Sequence, residues 1–260
     1  MQKPVKSGYA PVNGLKMYYE IHGNGELPLV LIHGGGSTIE TSFSNILPFF
    51  AEKRKVIAVE LQAHGRTSDR NAPESFQQDA DDVVALLTYL KIDKADFLGF
   101  SNGGSTTLQI AIRHPQIVKK IIAVAAAYRR DGFINGFFDG MQQASLSNMP
   151  EPLKESYMKV APDKNQLQVM FEKDKQRMIH FSDWPDDDIK SIKAPALLMV
   201  ADKDVITVDH TLKMAQLISG AKLVVLPGVH GAFMGEICTA KKNSKLPEIT
   251  AQIIEEFLNE

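Results

Sequence analysis

The sequence predicts an α/β fold: a doubly wound, mostly parallel sheet with helices on both faces and an inserted helical cap. Three observations predict it. Short apolar runs alternate with amphipathic helical stretches along most of the chain; several of those runs are apolar without a break; and one long stretch, residues 128–193, interrupts the alternation. Unbroken apolar strands are buried on both faces, which is the habit of parallel sheets. Helical stretches between strands supply the crossovers that parallel pairing requires.

The elements follow in order. Leu15 to Gly23 (LKMYYEIHG) alternates as a strand with one solvated face, and Leu27 to Gly34 (LPLVLIHG) reads as a strand buried on both sides. Lys55 to Leu61 is the next strand, and Gln77 to Ile92 a helix with its acids early, where the helix dipole favours them. Ala95 to Phe100 is a strand, Gly103 to His114 a helix, and Lys119 to Ala127 a strand. After the interruption come a strand at Ala194 to Ala201, a short helix at Asp209 to Ile218, a strand at Ala221 to Pro227 and a closing helix at Pro247 to Leu258. The interruption is too long for a loop between neighbouring strands. Its Met- and Phe-rich helical pattern predicts a cap at 128–193 over a core domain made of 1–127 and 194–260. Such a cap belongs over the C-terminal ends of the strands, where open α/β sheets hold ligands.

Composition narrows the partners. The 260 residues carry 29 basic and 31 acidic side chains, a formal charge of -2, so neither nucleic acid nor an anionic membrane is expected to bind. A small-molecule substrate fits better. The single cysteine, Cys238, has no internal disulfide partner and reads as inert packing. No apolar run approaches the roughly 20 residues of a membrane span, so no stable membrane insertion is expected. The start MQKPVKSGYAP lacks a signal-like apolar core. A cytoplasmic location is the expectation, or an exported one if the chain begins after a removed signal.

The chemistry concentrates at Gly99-Phe100-Ser101-Asn102-Gly103, a G-x-S-x-G stretch between a predicted strand and a predicted helix. Glycines on both sides let strand and helix approach closely, so Ser101 can sit on a strained turn with its hydroxyl lifted clear of the sheet. The N–H of Asn102 is then one candidate oxyanion donor. The strand ending in HGGG offers another, and Gly35 is the expected donor. Ser101 also needs a base and an orienting acid. Asp202 and Asp204 follow one late apolar strand, and His230 follows the next. The chain order is Ser, Asp, His, with each member just past a strand.

These residues resemble the α/β-hydrolase superfamily over nearly the whole chain. GFSNGG is similar to its nucleophile elbow, HGGG to its oxyanion loop, and ADKD to its G-D-x-D turn, in which the last acid, here Asp204, is usually the triad member. ELQAHGRTS resembles the D-x-x-G-H-G-x-S segment beside the pocket. The chain departs from the pattern at Glu60, Ala63, Ala201 and Val208, and its His230 follows one residue sooner than in the frequent P-G-x-G-H. None of these changes removes a catalytic group. The resemblance implies a cofactor-free serine hydrolase, with Ser101, Asp204 and His230 catalytic and Asp202 bracing the turn, acting on small, fairly apolar carboxylic esters through an acyl-enzyme. The same scaffold also serves lyases, cofactor-free oxygenases, peroxidases and slow-turnover ligand receptors.

Bland readings compete at several positions. His33 and His64 sit in glycine-rich turns and are expected to hold loop backbone, while His22, His114, His180 and His210 read as surface or helix-end residues. No histidine pair has metal-ligand spacing, so no metal is expected, and no stretch fits G-x-G-x-x-G. Cap residues Phe133, Phe137, Phe138, Met141, Met178 and Trp184 are the expected pocket wall, joined by Phe100 and Asn102 beside the nucleophile.

Overall fold

The computed structural model describes residues 3–260. Its sheet has eight strands: β1 (Lys6–Val12), β2 (Leu15–His22), β3 (Leu29–Ile32), β4 (Val56–Val59), β5 (Ala95–Phe100), β6 (Val118–Val124), β7 (Ala196–Ala201) and β8 (Lys222–Leu226). Their spatial order is β1-β2-β4-β3-β5-β6-β7-β8, with β1 to β2 and β2 to β4 antiparallel and every later pair parallel.

Successive side chains of a strand point to opposite faces, so an unbroken apolar strand feeds two cores at once. In β3, Val30 and Ile32 enter one core while Leu29 and Leu31 enter the other; in β6, Ile121 and Ala123 oppose Ile122 and Val124. The first core is covered by α3 (Phe76–Tyr89), α4 (Asn102–Arg113) and α9 (Val208–Leu217) through Val83, Leu86, Leu108 and Met214. The second is covered by α1 (Ile39–Phe43), α2 (Leu47–Ala51) and α10 (Leu246–Asn259) through Phe43, Phe50, Ile254 and Phe257.

The sequence reading misses β1, KSGYAPV, and the short helices α1 and α2. Strand β1 is an edge strand with a mostly exposed, Gly- and Pro-containing sequence, and only Ala10 and Val12 are buried. Its pairing with β2 supplies the strand geometry that its composition does not advertise.

Between β6 and β7 lie α5 (Phe137–Gln143), α6 (Glu151–Val160), α7 (Leu167–Ile179) and α8 (Asp186–Lys190). Helices α6 and α7 form a small apolar cluster of their own, with Met149, Tyr157, Leu167 and Met170 packed on Ala63. The end of the insertion behaves differently: Trp184, Ile189 and Ile192 are buried in the main core with Val83 and Leu108. Trp184 packs edge-on against Phe76, centroids 5.8 Å apart. It therefore fills core volume rather than the cavity wall expected of it.

Candidate active site

Strand β5 ends at Phe100, α4 begins at Asn102, and Ser101 makes the whole turn at φ 56°, ψ −120°. That conformation is sparsely populated for a residue with a Cβ and persists only when its surroundings enforce it. The enforcement is steric and polar. A Cβ at Gly99 would lie 1.9 Å from the Gly103 carbonyl oxygen, and one at Gly103 would lie 2.1 Å from the Ile32 carbonyl oxygen. The Ser101 N–H donates to Val124 O at 2.8 Å.

The turns after β7 and β8 deliver the partners. His230 Nε2 lies 3.0 Å from Ser101 Oγ, and His230 Nδ1 lies 2.6 Å from Asp204 Oδ1. Asp204, its side chain fully buried, also accepts from the N–H groups of Ile206 (3.2 Å) and Ala201 (3.4 Å). Such donors fix a carboxylate's direction and offset the cost of burying its charge. Asp202 takes the other part: its Oδ1 accepts from Gly228 N at 2.7 Å and ties the two turns together. Phe100 lies under the His230 ring, centroids 4.8 Å apart, and is absent from the cavity wall expected to include it. Its ring belongs to the second core and packs against the imidazole.

The glycine loop after β3 is held by two buried histidines. His33 Nε2 accepts from Leu61 N (3.0 Å), so its proton sits on Nδ1, which donates to Gly34 O at 2.7 Å. Burial pushes His33 down to about 3, and it stays neutral. Within a trans peptide the C=O and N–H point opposite ways, so holding Gly34 O turns the Gly35 N–H away from His33. Among the described residues no protein acceptor faces the N–H of Gly35 or of Asn102. His64 differs. Its Nδ1 faces Gln62 O (2.8 Å) and its Nε2 faces Asp174 Oδ2 (2.9 Å), two acceptors that an imidazolium serves together, while Gly36 N lies 3.2 Å from the same Nε2. Burial opposes that charge, but the Asp174 carboxylate overrides it and raises His64 to about 9.

Asp174, on α7, is the site residue that sequence reasoning misses. Besides His64 it accepts from Gly36 N at 2.5 Å, pairs with Arg177, and lies 3.4 Å from Asn102 Nδ2. Burial works against its ionisation, yet His64 and Arg177 hold its carboxyl well below the usual range. A signal was available: Met170, Asp174 and Met178 fall at four-residue spacing on one helix face, and a charge on an apolar stripe needs partners.

Above Ser101 the cavity holds about 360 Å³. Phe133, Phe137, Met141 and Met178 line it, together with Asn102, Gly35 and His230. Phe76 from α3, Met149, Met170 and Phe181 line it as well. Phe138 does not: it packs edge-on against Phe133 and Phe137 beneath Arg130, whose guanidinium carbon is 3.5 Å from its ring centroid. Among the described residues no group of three His, Cys, Asp or Glu side chains is placed to hold a metal ion, and no helix is long and apolar enough to cross a membrane. His22 and His210, read as surface or helix-end residues, are buried: His22 pairs with Glu20 at 2.9 Å, and His210, in the first turn of α9, stacks on Tyr128. Cys238, read as packing, is exposed.

Several known proteins are similar to this chain. The chain is similar to the dihydrolipoyllysine-residue acetyltransferase component of an acetoin cleaving system from Pseudomonas putida, 33% identical over 144 residues and 55% of this chain. It is also similar to a 2-hydroxymuconate semialdehyde hydrolase from Pseudomonas sp. (strain CF600), 35% identical over 113 residues and 41% of this chain. Each match spans only 39% of the relative's own length. Among solved structures, the enol-lactonase from Burkholderia xenovorans LB400 superposes with a TM-score of 0.75 at 21% identity, covering 97% of this chain and 100% of that one. The family described as alpha/beta hydrolase fold matches residues 28–179, more than half of the sequence, and the chain belongs to it.

Proposed function

We propose that the protein is a serine hydrolase of small, fairly apolar carboxylic esters, working through an acyl-enzyme. The observation that carries this reading is the continuous relay from Asp204 through His230 to Ser101, at 2.6 and 3.0 Å. Ser101 Oγ attacks the ester carbonyl carbon as its proton passes to His230 Nε2. The resulting oxyanion lies against the free N–H groups of Gly35 and Asn102, where α4 adds the positive end of its dipole. The tetrahedral intermediate then expels the alkoxide, which takes the proton from His230 and leaves as alcohol. A water deprotonated by His230 attacks the acyl-serine, releasing the carboxylic acid and restoring Ser101. Asp204 holds the proton of His230 on Nδ1 and stabilises the imidazolium.

The aromatic and methionine wall supports an apolar acyl or aryl group, and a cavity of about 360 Å³ suits a small one. The helices inserted between β6 and β7 act as the cap that encloses it. The likeness to 2-hydroxymuconate semialdehyde hydrolase favours a second reading, in which the same relay hydrolyses a carbon–carbon bond. Turnover of p-nitrophenyl esters of graded chain length, set beside turnover of 2-hydroxymuconate semialdehyde, tests the choice. Ester kcat/KM that rises with short apolar chains supports the first reading. Rapid loss of the semialdehyde with negligible ester turnover supports the second and overturns the first.

A further inference from the structure

We infer that Asp174 is a positioning residue that locks the oxyanion loop from the inserted helices, holding the Gly36 N–H and pairing with His64, so that the loop takes its working shape only when α7 is seated. The inference rests on the serine-hydrolase reading and adds to it a link between the two parts of the fold.

The geometry carries the argument. The loop has two peptide planes to orient. His33, anchored to Leu61 N, fixes the first by holding Gly34 O. The second, between Gly35 and Gly36, is held by Asp174 through the Gly36 N–H, while Ser37 Oγ donates to Gly35 O at 3.3 Å. Gly36 stands at φ +65°, a conformation that glycine enters and leaves readily, so without the carboxylate nothing else on α7 holds that plane. The Gly36 N also lies 3.2 Å from His64 Nε2, but that nitrogen faces the carboxylate as a donor, which leaves Asp174 as the acceptor. Arg177, one turn along α7, fixes the other carboxylate oxygen and is itself held by Asp79 at 2.5 Å and Glu74 at 2.8 Å. The titratable and charged groups facing His64 are Asp174 and Arg177 from α7, Glu74 just before α3 and Asp79 in its first turn, the last two pushed up by burial, with the His33 ring tilted against it. Because α7 belongs to the insertion and Gly36 to the loop after β3, this contact makes the peptide plane next to the Gly35 donor depend on the position of the helix.

The test is Asp174→Asn, which keeps the side-chain shape and removes the charge. A shifted loop costs transition-state binding rather than substrate binding, so kcat for a p-nitrophenyl ester falls about 10- to 100-fold while KM moves less than about threefold. The rate of Ser101 labelling by a fluorophosphonate falls in the same proportion. His64→Gln, which breaks the clamp from its other side, gives a similar loss, and the double variant is no worse than the worse single one. An unchanged kcat, a rise in KM alone, or additive losses overturn the inference. The wild-type chain gives an arm that no folding defect can reach: nitrogen-15 spectra of the imidazole rings show both nitrogens of His64 protonated at pH 7. A neutral His64 overturns the inference. If the wild type is not labelled at Ser101 at all, the hydrolase reading fails by itself, and the spectra still decide the clamp.

Discussion

The rings of His33 and His64 lie 4.8 Å apart, centroid to centroid, and their hydrogen-bond partners hold them in different protonation states. His33 receives an N–H and burial keeps it neutral, while the Asp174 carboxylate raises His64 to about 9 and favours its charged form. A neutral ring tilted against a charged one under the glycine loop avoids the repulsion that two imidazoliums at that distance would feel.

The two acids of the ADKD turn separate by experiment. Asp204→Asn loses the tautomer control of His230 and lowers kcat by about 10⁴-fold, with the fold intact. Asp202→Ala removes only the bond to Gly228 N, leaves kcat within a few fold and costs about 1 kcal/mol of stability. Ester kinetics and urea unfolding of both variants check the assignment.

Stability at acid pH depends on histidines buried neutral. Burial lowers His210 to about 4 and His33 to about 3. With folded values below the ordinary 6.5, their contribution is present above 6.5 and is lost as pH falls through 4 and then 3. For His210 the full loss is up to about 3 kcal/mol. Unfolding free energies of wild type and His210→Gln between pH 7 and 4 are expected to converge as pH falls.

The elbow tolerates no Cβ at Gly99 or Gly103, where carbonyl oxygens lie at 1.9 and 2.1 Å from the added atom. Backbone rather than a flexible side chain blocks the space. Gly99→Ala is expected to cost about 3 kcal/mol or more and to lower the yield of folded protein. Thermal unfolding measures it.

Pocket and core aromatics respond differently. Phe137→Ala, at the cavity wall, widens the accepted acyl group, so kcat/KM shifts toward longer p-nitrophenyl esters. Trp184→Ala, in the core beside Phe76, lowers stability by about 3 to 5 kcal/mol and leaves the chain-length profile of the remaining folded enzyme unchanged. A changed profile in the Trp184 variant would place that ring back in the pocket.

Much of the fold was legible because its strands are buried on both faces and therefore read as unbroken apolar runs. Edge strand β1 was not: one face is solvated, and its pairing partner rather than its own composition makes it a strand. The positions of Ser101, Asp204 and His230 were legible from turn chemistry, since each follows a strand at a short fixed distance. Asp174 was hidden because its meaning comes from residues more than a hundred positions away, Gly36 and His64, which only the folded chain brings to it. Phe100, Phe138 and Trp184 were misplaced for a related reason: a sequence shows that an aromatic is buried, not which side of a layer it faces.

The most direct measurement is the intact mass of the protein after treatment with a fluorophosphonate, followed by location of the adduct. The account predicts one adduct per chain, on the oxygen of Ser101, and none in Ser101→Ala. An unmodified wild type, or an adduct on another residue, would contradict it.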